Sequence, residues 1–370
     1  MVKFGFEIEE IKEGKARITV PKAQRGKGPG KKEGFPFYNP VMVVNRDISV
    51  LVLQRSMEDR PLKALDGLSG TGIRGLRFAL EVDGDLSVVL NDWNEMCYEL
   101  ILENLKKNGI ENAQAKQEDL NHLLTGDRFD YVDVDPFGTP IYFLDSALRG
   151  VKDGGVLAVT ATDTAALAGS YPNACRRKYQ ADPLPISTRH EIGLRILIGH
   201  CARTAGKYGL RVRPLLSHST DHYYRIYLEI TEGKSSTGDS PDDMGFYSWN
   251  PTTFESVLER EKKENLQVAG PLWIGRLWDG EFLRNLRPRL YMSSKTSRTL
   301  DLIKRESEID FPFYSSDDLA SRLGVHTPSI ARILELMAEK GFDSSRTHFD
   351  PKGFRTNAPI DEVKSIFRNI

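Results

Sequence analysis

The stretch Asp130-Tyr-Val-Asp-Val-Asp135-Pro136-Phe137-Gly138-Thr139-Pro140 holds the residue types needed to act on the exocyclic amine of a nucleobase. Such a nitrogen is a poor nucleophile because its lone pair is delocalised into the ring. A carboxylate and a main-chain carbonyl that accept from its protons localise that pair, and the carboxylate can take the proton lost on alkylation. Pro136 fixes the backbone and removes an N–H donor, which leaves the local carbonyls free as acceptors. Phe137 offers a flat apolar face for stacking on a base, and Gly138 lets the chain turn away. An Asp-Pro turn at a strand end also has a purely structural use, so its weight comes from a second stretch upstream.

That stretch is Gly70-Thr-Gly72-Ile-Arg-Gly75, with Asp92 downstream, which matches the dinucleotide fingerprint. In a dinucleotide site the first glycine follows its strand almost directly. Here the strand ends at Leu65-Asp66, and Gly67-Leu68-Ser69 intervene. A longer loop with an acid at the strand end suits a cofactor with an amino-acid tail. Asp66 can meet its ammonium directly or through water, Gly70 and Gly72 let the backbone come close, Asp92 can accept from ribose hydroxyls, and Asp119 from an adenine amine. Each acid alone is better explained by helix capping or turn formation. Their regular placement after successive strands favours S-adenosyl-L-methionine over NAD.

The elements that must position these residues follow from periodicity. Strands are expected at Leu62–Asp66, Leu86–Leu90, Ala113–Lys116, Tyr131–Val134 and Val156–Thr160, with helices at 72–82, 94–108 and 141–148 between them. Repeated βα units imply an α/β fold with a doubly wound, mainly parallel sheet. A helix over 189–204 and a strand over 223–230 follow. Residues 12–34, rich in Gly, Lys and Arg, read as a surface loop, and residues 233–243 as a linker, which divides the chain into domains 1–240 and 241–370. The second domain ends in a helix over 316–323 broken by Gly324, a helix capped by Thr327 with Pro328 at its first position, and a hairpin pairing 347–350 with 354–357. Helix, turn, helix, hairpin is the order of a winged helix.

Composition narrows the classes. The 370 residues carry 51 Lys+Arg against 52 Asp+Glu, so no global positive field points to nucleic acid, and any such contact must come from local patches. Cys97, Cys175 and Cys201 are too few and too scattered for a disulfide scaffold or a Cys-x-x-Cys metal site. No secretory signal and no apolar run long enough to span a membrane is present, so a cytoplasmic protein is expected.

The chain resembles the tRNA (guanine-26-N2)-dimethyltransferases, most closely their archaeal members. The matching segments are Phe37-Tyr-Asn-Pro40, Asn45-Arg46-Asp47, Asp66 to Gly75, Asn91-Asp92, Asp135-Pro-Phe-Gly138, Gly270-Pro-Leu-Trp273 and Thr347-His-Phe-Asp350. The resemblance implies a class I S-adenosylmethionine-dependent methyltransferase domain, Rossmann-like with a mainly parallel sheet, followed by a family-specific C-terminal α+β domain. It implies transfer of two methyl groups in turn to guanine N2. Asp135 would then be the catalytic acid/base residue, Phe37 and Phe137 would bracket the target base, and Arg46, Arg74, Asp92, Asp119 and Leu120 would line the cofactor, with Arg46 on the methionine carboxylate. Many relatives carry a cysteine-based zinc site near a Trp-containing segment. Here that region, Tyr247 to Thr253, has no cysteine, so no metal is expected. Gly67 and Gly70 stand where relatives often have alanine.

The expected partner is tRNA, with no obligate protein partner. Arg284, Arg287, Arg289, Lys295, Arg298, Lys304 and Arg305 form one candidate phosphate patch. Arg176-Arg177-Lys178 and the basic residues of 22–32 are others. Two further enzyme readings are methylation of a different tRNA guanosine and an NAD-dependent oxidoreductase. A third, non-enzymatic reading is a nucleotide-sensing winged-helix regulator, which leaves Asp135-Pro-Phe-Gly138 without a use.

Overall fold

Ala16, Ile18 and Val20 alternate with polar neighbours, the period of a strand buried on one face. In the computed structural model, which describes residues 6–22, 36–57, 60–233 and 243–369, they form the second arm of an antiparallel hairpin, β1 (Ile8–Glu13) and β2 (Ala16–Pro21). The expected loop is therefore a strand pair up to Pro21, because its inward residues cover the sheet's outer helices. The basic positions Arg25, Lys27, Lys31 and Lys32 lie outside the described residues, as does most of the 233–243 linker.

A helix, α1 (Val43–Arg55), precedes the alternating units. These run β3 (Leu62–Asp66), α2 (Ile73–Glu81), β4 (Leu86–Asn91), α3 (Glu95–Asn108), β5 (Ala113–Lys116), α4 (Leu120–Gly126), β6 (Phe129–Val134), α5 (Ile141–Gly150) and β7 (Val151–Ala161). Then come α6 (Thr164–Leu167), α7 (Pro172–Tyr179), α8 (Arg189–Gly206), β8 (Leu210–Thr220) and β9 (Tyr223–Glu232). The sheet order is β5-β4-β3-β6-β7-β9-β8, parallel except for the inserted antiparallel β9. The chain reverses its direction of travel between β3 and β6, and ligands bind at such a switch point beyond the carboxyl ends of the strands. The β3/β6 register sets Asp66 beside Asp133 there.

The C-terminal part begins with a three-stranded antiparallel sheet, β10 (Met244–Trp249), β11 (Ser256–Glu259) and β12 (Gln267–Trp273). β12 lies against α8 at Gly199, where a Cβ would come within 2.9 Å of the Trp273 nitrogen. Next are α9 (Gly280–Arg284) and α10 (Ser294–Glu306), then β13 (Tyr314–Ser315), α11 (Ser316–Leu323), α12 (Ile330–Glu339), β14 (Ser344–Arg346), β15 (Gly353–Thr356) and α13 (Ile360–Arg368). The helix after Gly324 is capped by Ser329, whose Oγ accepts from the Arg332 nitrogen at 3.2 Å, so Thr327 and Pro328 stay outside it. Residues 347–350 are the turn of the expected hairpin, since Thr347 and His348 are drawn to Glu306. β13 pairs with the other edge of β15, and Leu319, Ile333, Met337, Phe354 and Phe367 form a small core there. The main core runs past position 240, joining Trp273, Leu283, Leu300 and Phe313 to the seven-stranded sheet.

Candidate active site

The loops after β3, β4 and β5 are tied together. Gly70 (φ +56°) and Gly72 (φ +81°) adopt left-handed backbone that favours glycine, and Gly72 caps α2. The Gly70 nitrogen donates to Asp92 Oδ2 at 2.9 Å and the Asn94 nitrogen to Asp92 Oδ1 at 3.0 Å. Asn91 Nδ2 donates to the carbonyls of Gly67 and Glu118, each at 3.1 Å. Burial raises the Asp92 carboxyl, with those two backbone donors opposing it. Asp66 is buried and accepts from the Gly75 nitrogen at 3.0 Å; burial pushes its carboxyl up to about 7, opposed by Arg74. Asp119 is exposed and caps α4 by accepting from the His122 nitrogen at 3.1 Å, while Leu120 is buried beneath Gly67.

A donor set of carboxylates after three consecutive strands fits an ammonium, a ribose diol and an adenine amine. The buried Thr71 hydroxyl, in the same glycine turn, has no hydrogen-bond partner among the described residues, a polar atom left over for a ligand. Both observations fit S-adenosyl-L-methionine.

β6 delivers Asp135 to the carboxyl end of the sheet. The following turn is held by Gly138, at φ +84°, whose nitrogen donates to Thr162 Oγ1 at 2.7 Å and whose carbonyl accepts from the Thr162 nitrogen at 2.9 Å. Phe137 is 52% exposed and Phe37 37%, and their rings meet at 5.4 Å. Asp135 is half-buried, with Oδ2 in an ion pair with Arg74 Nη2. Arg74 Nη1 donates to Asn45 Oδ1 and Ser49 Oγ, both at 2.7 Å, and its Nε lies 3.4 Å from Asp133 Oδ1. Asp133 in turn receives Arg225 Nη1 at 3.0 Å and the Tyr131 hydroxyl at 3.0 Å. Burial alone would raise the Asp133 carboxyl; Arg225 and Arg74 outweigh it and hold it below its ordinary value.

The expected residues are therefore gathered at one edge, with two surprises. Arg74 stands behind Asp135 and grips it. Arg46, expected on the methionine carboxylate, is buried with its Nε and Nη2 on Glu13 at 2.7 and 2.5 Å and its guanidinium over Tyr38. Burial pushes Glu13 up, but Arg46 and Arg77 hold it at about 2. Glu13, Asn45, Ser49 and Arg225 were not singled out from the sequence. Asp133 was findable, since it shares a strand face with Asp135 two positions on.

Part of the 284–305 patch is taken up by contacts within the chain. Arg289 Nη2 meets Gln54 Oε1 at 2.7 Å and Asp83 Oδ2 at 2.8 Å, Lys295 pairs with Asp221 at 2.7 Å, Arg284 with Glu308 at 3.5 Å, and Lys304 donates to the Leu286 carbonyl at 2.7 Å. Arg287 and Arg305 are exposed without a carboxylate partner among the described residues. Among those residues no group of three or more His, Cys, Asp or Glu is arranged to hold a metal, and no helix is long and apolar enough to cross a membrane.

A family profile for N2,N2-dimethylguanosine tRNA methyltransferase matches residues 14–368. The tRNA (guanine(26)-N(2))-dimethyltransferase of Thermococcus kodakarensis is 39% identical over 99% of this chain and 100% of its own length. That of Pyrococcus furiosus is 36% identical over 98% and 99%. Among solved structures, the complex of Trm1 from Pyrococcus horikoshii with S-adenosyl-L-methionine is similar at a TM-score of 0.86 and 36% identity, covering 97% of this chain and 99% of that one.

Proposed function

The chain belongs to the N2,N2-dimethylguanosine tRNA methyltransferase family, and from that premise we propose how its own residues carry the reaction. It transfers methyl groups from S-adenosyl-L-methionine to the exocyclic N2 of guanosine 26 in tRNA, giving N2,N2-dimethylguanosine. We assign methyl transfer to residues 1–240, tRNA holding to residues 241–370 together with the sheet edge, and the work to the cytoplasm without an obligate protein partner.

Asp66, Gly70, Gly72, Asp92, Asp119 and Leu120 would line the cofactor, with Arg46 toward its carboxylate. When bound, the cofactor supplies an electrophilic methyl group on a sulfonium. The observation that carries the reading is the placing of Asp135: Arg74 takes its Oδ2, which fixes the carboxylate, while Oδ1 has no hydrogen-bond partner among the described residues. Oδ1 accepts one N2–H, a main-chain carbonyl of the Pro136 turn accepts the other, and the amine lone pair is freed from the ring. As the N–C bond forms at the expense of the bond from the methyl to the sulfonium sulfur, which is left as a neutral thioether, the proton leaves N2 for Asp135, and Asp135 gives it up to solvent before the second transfer. The monomethylated amine keeps one hydrogen, which takes the same route in the second transfer. Phe37 and Phe137 touch each other, so the flipped guanine enters by parting that contact and stacks on their faces. Arg74 acts through Asp135 and is a positioning residue.

The test incubates the protein with labelled S-adenosyl-L-methionine and an unmodified tRNA transcript beside its G26→A version. Label in the first alone, recovered as N2,N2-dimethylguanosine by mass spectrometry, is expected. Equal labelling of both refutes the target assignment.

A further inference from the structure

The methyl-transfer reading uses Phe37 and Phe137 and leaves three other exposed aromatic side chains at the same edge without a use: Trp93 beside Asp92, and Tyr142 and Tyr171 on the side of the Asp135 turn. Tyr142, the second residue of α5, is 70% exposed, and Tyr171, just before α7, is 66% exposed. Neither side chain has a hydrogen bond or ring contact among the described residues. Both are fixed relative to the catalytic turn. α5 starts directly after that turn, at Pro140. α7 is pinned to it by the Tyr179 hydroxyl, which lies 2.8 Å from Thr139 Oγ1 and donates to Asp163 Oδ1 at 2.7 Å. Cys175 and Tyr179 fill the inner face of α7, so Arg176 and Arg177 face out. Arg176 is paired with Asp182 at 2.5 Å, whereas Arg177 has no carboxylate partner among the described residues. The exposed Arg189, at the start of α8, has none either. It belongs to the same edge, since the next residue, His190, meets the Tyr224 hydroxyl at 3.0 Å, and Tyr224 pairs with Ala161 at the end of β7.

We propose that Tyr142 and Tyr171 form a stacking platform, with Arg177 and Arg189 as phosphate contacts, for the tRNA nucleotides that flank the withdrawn guanosine. The inference rests on the methyl-transfer reading and adds to it the surface that holds the strand. Taking a base out of a stack exposes the faces of both neighbours. An aromatic ring re-covers such a face whatever the base, and an uncompensated guanidinium is matched to a backbone phosphate. A lone exposed tyrosine is ordinary on any surface. Two of them, together with two arginines that lack a carboxylate partner among the described residues, on elements tied to the same edge of the sheet, make a surface suited to RNA.

The test measures tRNA binding and steady-state methylation by the full chain carrying Tyr142→Ala, Tyr142→Phe, Tyr171→Ala, Tyr171→Phe or Arg177→Ala. Each Tyr→Ala change is expected to raise the tRNA Kd and KM about tenfold, with kcat falling less than threefold. The Phe variants keep the ring and should stay within about twofold of wild type. Arg177→Ala should lower the slope of log Kd against log salt by about one. Ala variants that bind tRNA like a wild-type chain that does methylate the G26 transcript overturn the platform alone. So do Phe variants as impaired as the Ala ones, or Ala variants that change oligomeric state in place of tRNA affinity. A wild-type chain that labels no tRNA overturns platform and function together.

Discussion

The carboxyl edge of the central sheet and the 284–305 segment are both places where basic and aromatic side chains cluster, and they use them oppositely. In the segment, Arg289 binds Asp83 and Gln54, Lys295 binds Asp221, and Ser293 and Thr296 anchor α10 to Asp47 at 2.9 and 2.6 Å. Arg289, with Ser293 and Thr296, holds the C-terminal part against α1 and the end of α2, and Lys295 holds it against the turn between β8 and β9. At the edge, charges that are buried are compensated, as with Arg74 between Asp135 and Asp133, while Phe137, Tyr142, Tyr171, Arg177 and Arg189 are left exposed. The difference teaches that a run of arginines is a docking surface only where the fold has not already given each one a partner.

The comparison can be broken most forcefully beneath the edge. Arg225→Ala leaves Asp133 buried and short of its main countercharge, and should cost about 3–5 kcal/mol of stability in a denaturant titration; a loss below about 1 kcal/mol would show that this interior pairing does little. Arg289→Ala should cost about 2 kcal/mol by the same titration while tRNA Kd changes less than twofold. A fall in tRNA affinity at unchanged stability would make the segment a docking surface after all.

The next effect is one of pH. Burial pushes the Asp66 carboxyl up to about 7 in the folded chain from its ordinary 3.8, so between those limits the folded state keeps a proton that the unfolded state has lost. Its contribution to stability is therefore full below about pH 4 and falls as pH rises to 7. Glu13, held at about 2 against 4.5, runs the other way: its contribution is present above 4.5 and is lost as pH falls toward 2. An ammonium favours ionised Asp66, so cofactor affinity measured by calorimetry should weaken as pH drops below 7, by up to about tenfold per unit. Asp66→Asn should flatten that dependence, and an unaltered profile would remove Asp66 from the cofactor site. Smallest is Arg287→Glu, exposed and unpaired, which should weaken tRNA binding about threefold with the melting temperature unchanged; unchanged affinity would leave the segment wholly internal.

Much of this edge was legible in advance. Strand periodicity placed Asp66, Asp92 and Asp135 at strand ends, and the glycine turn lies where its spacing predicted. What stayed hidden depends on pairing across long stretches of chain. Glu13 meets Arg46 33 residues on, and Arg225 reaches back 92 residues to Asp133. No local pattern announces such a partner, because a charged residue in a strand or helix reads as solvent-facing until the fold buries it. The same limit hid α1, whose Asn45, Arg46, Asp47 and Ser49 break an apolar stripe yet are all buried. It also made Arg289 look like a phosphate contact.

The most direct test of the central claim is the single-turnover rate of methyl transfer by Asp135→Asn, with cofactor and G26 tRNA both saturating. The amide keeps the side chain's shape but cannot take the amine proton. The account predicts a rate lower by about 10²–10⁴-fold with both ligands still bound. A rate within threefold of wild type would contradict it.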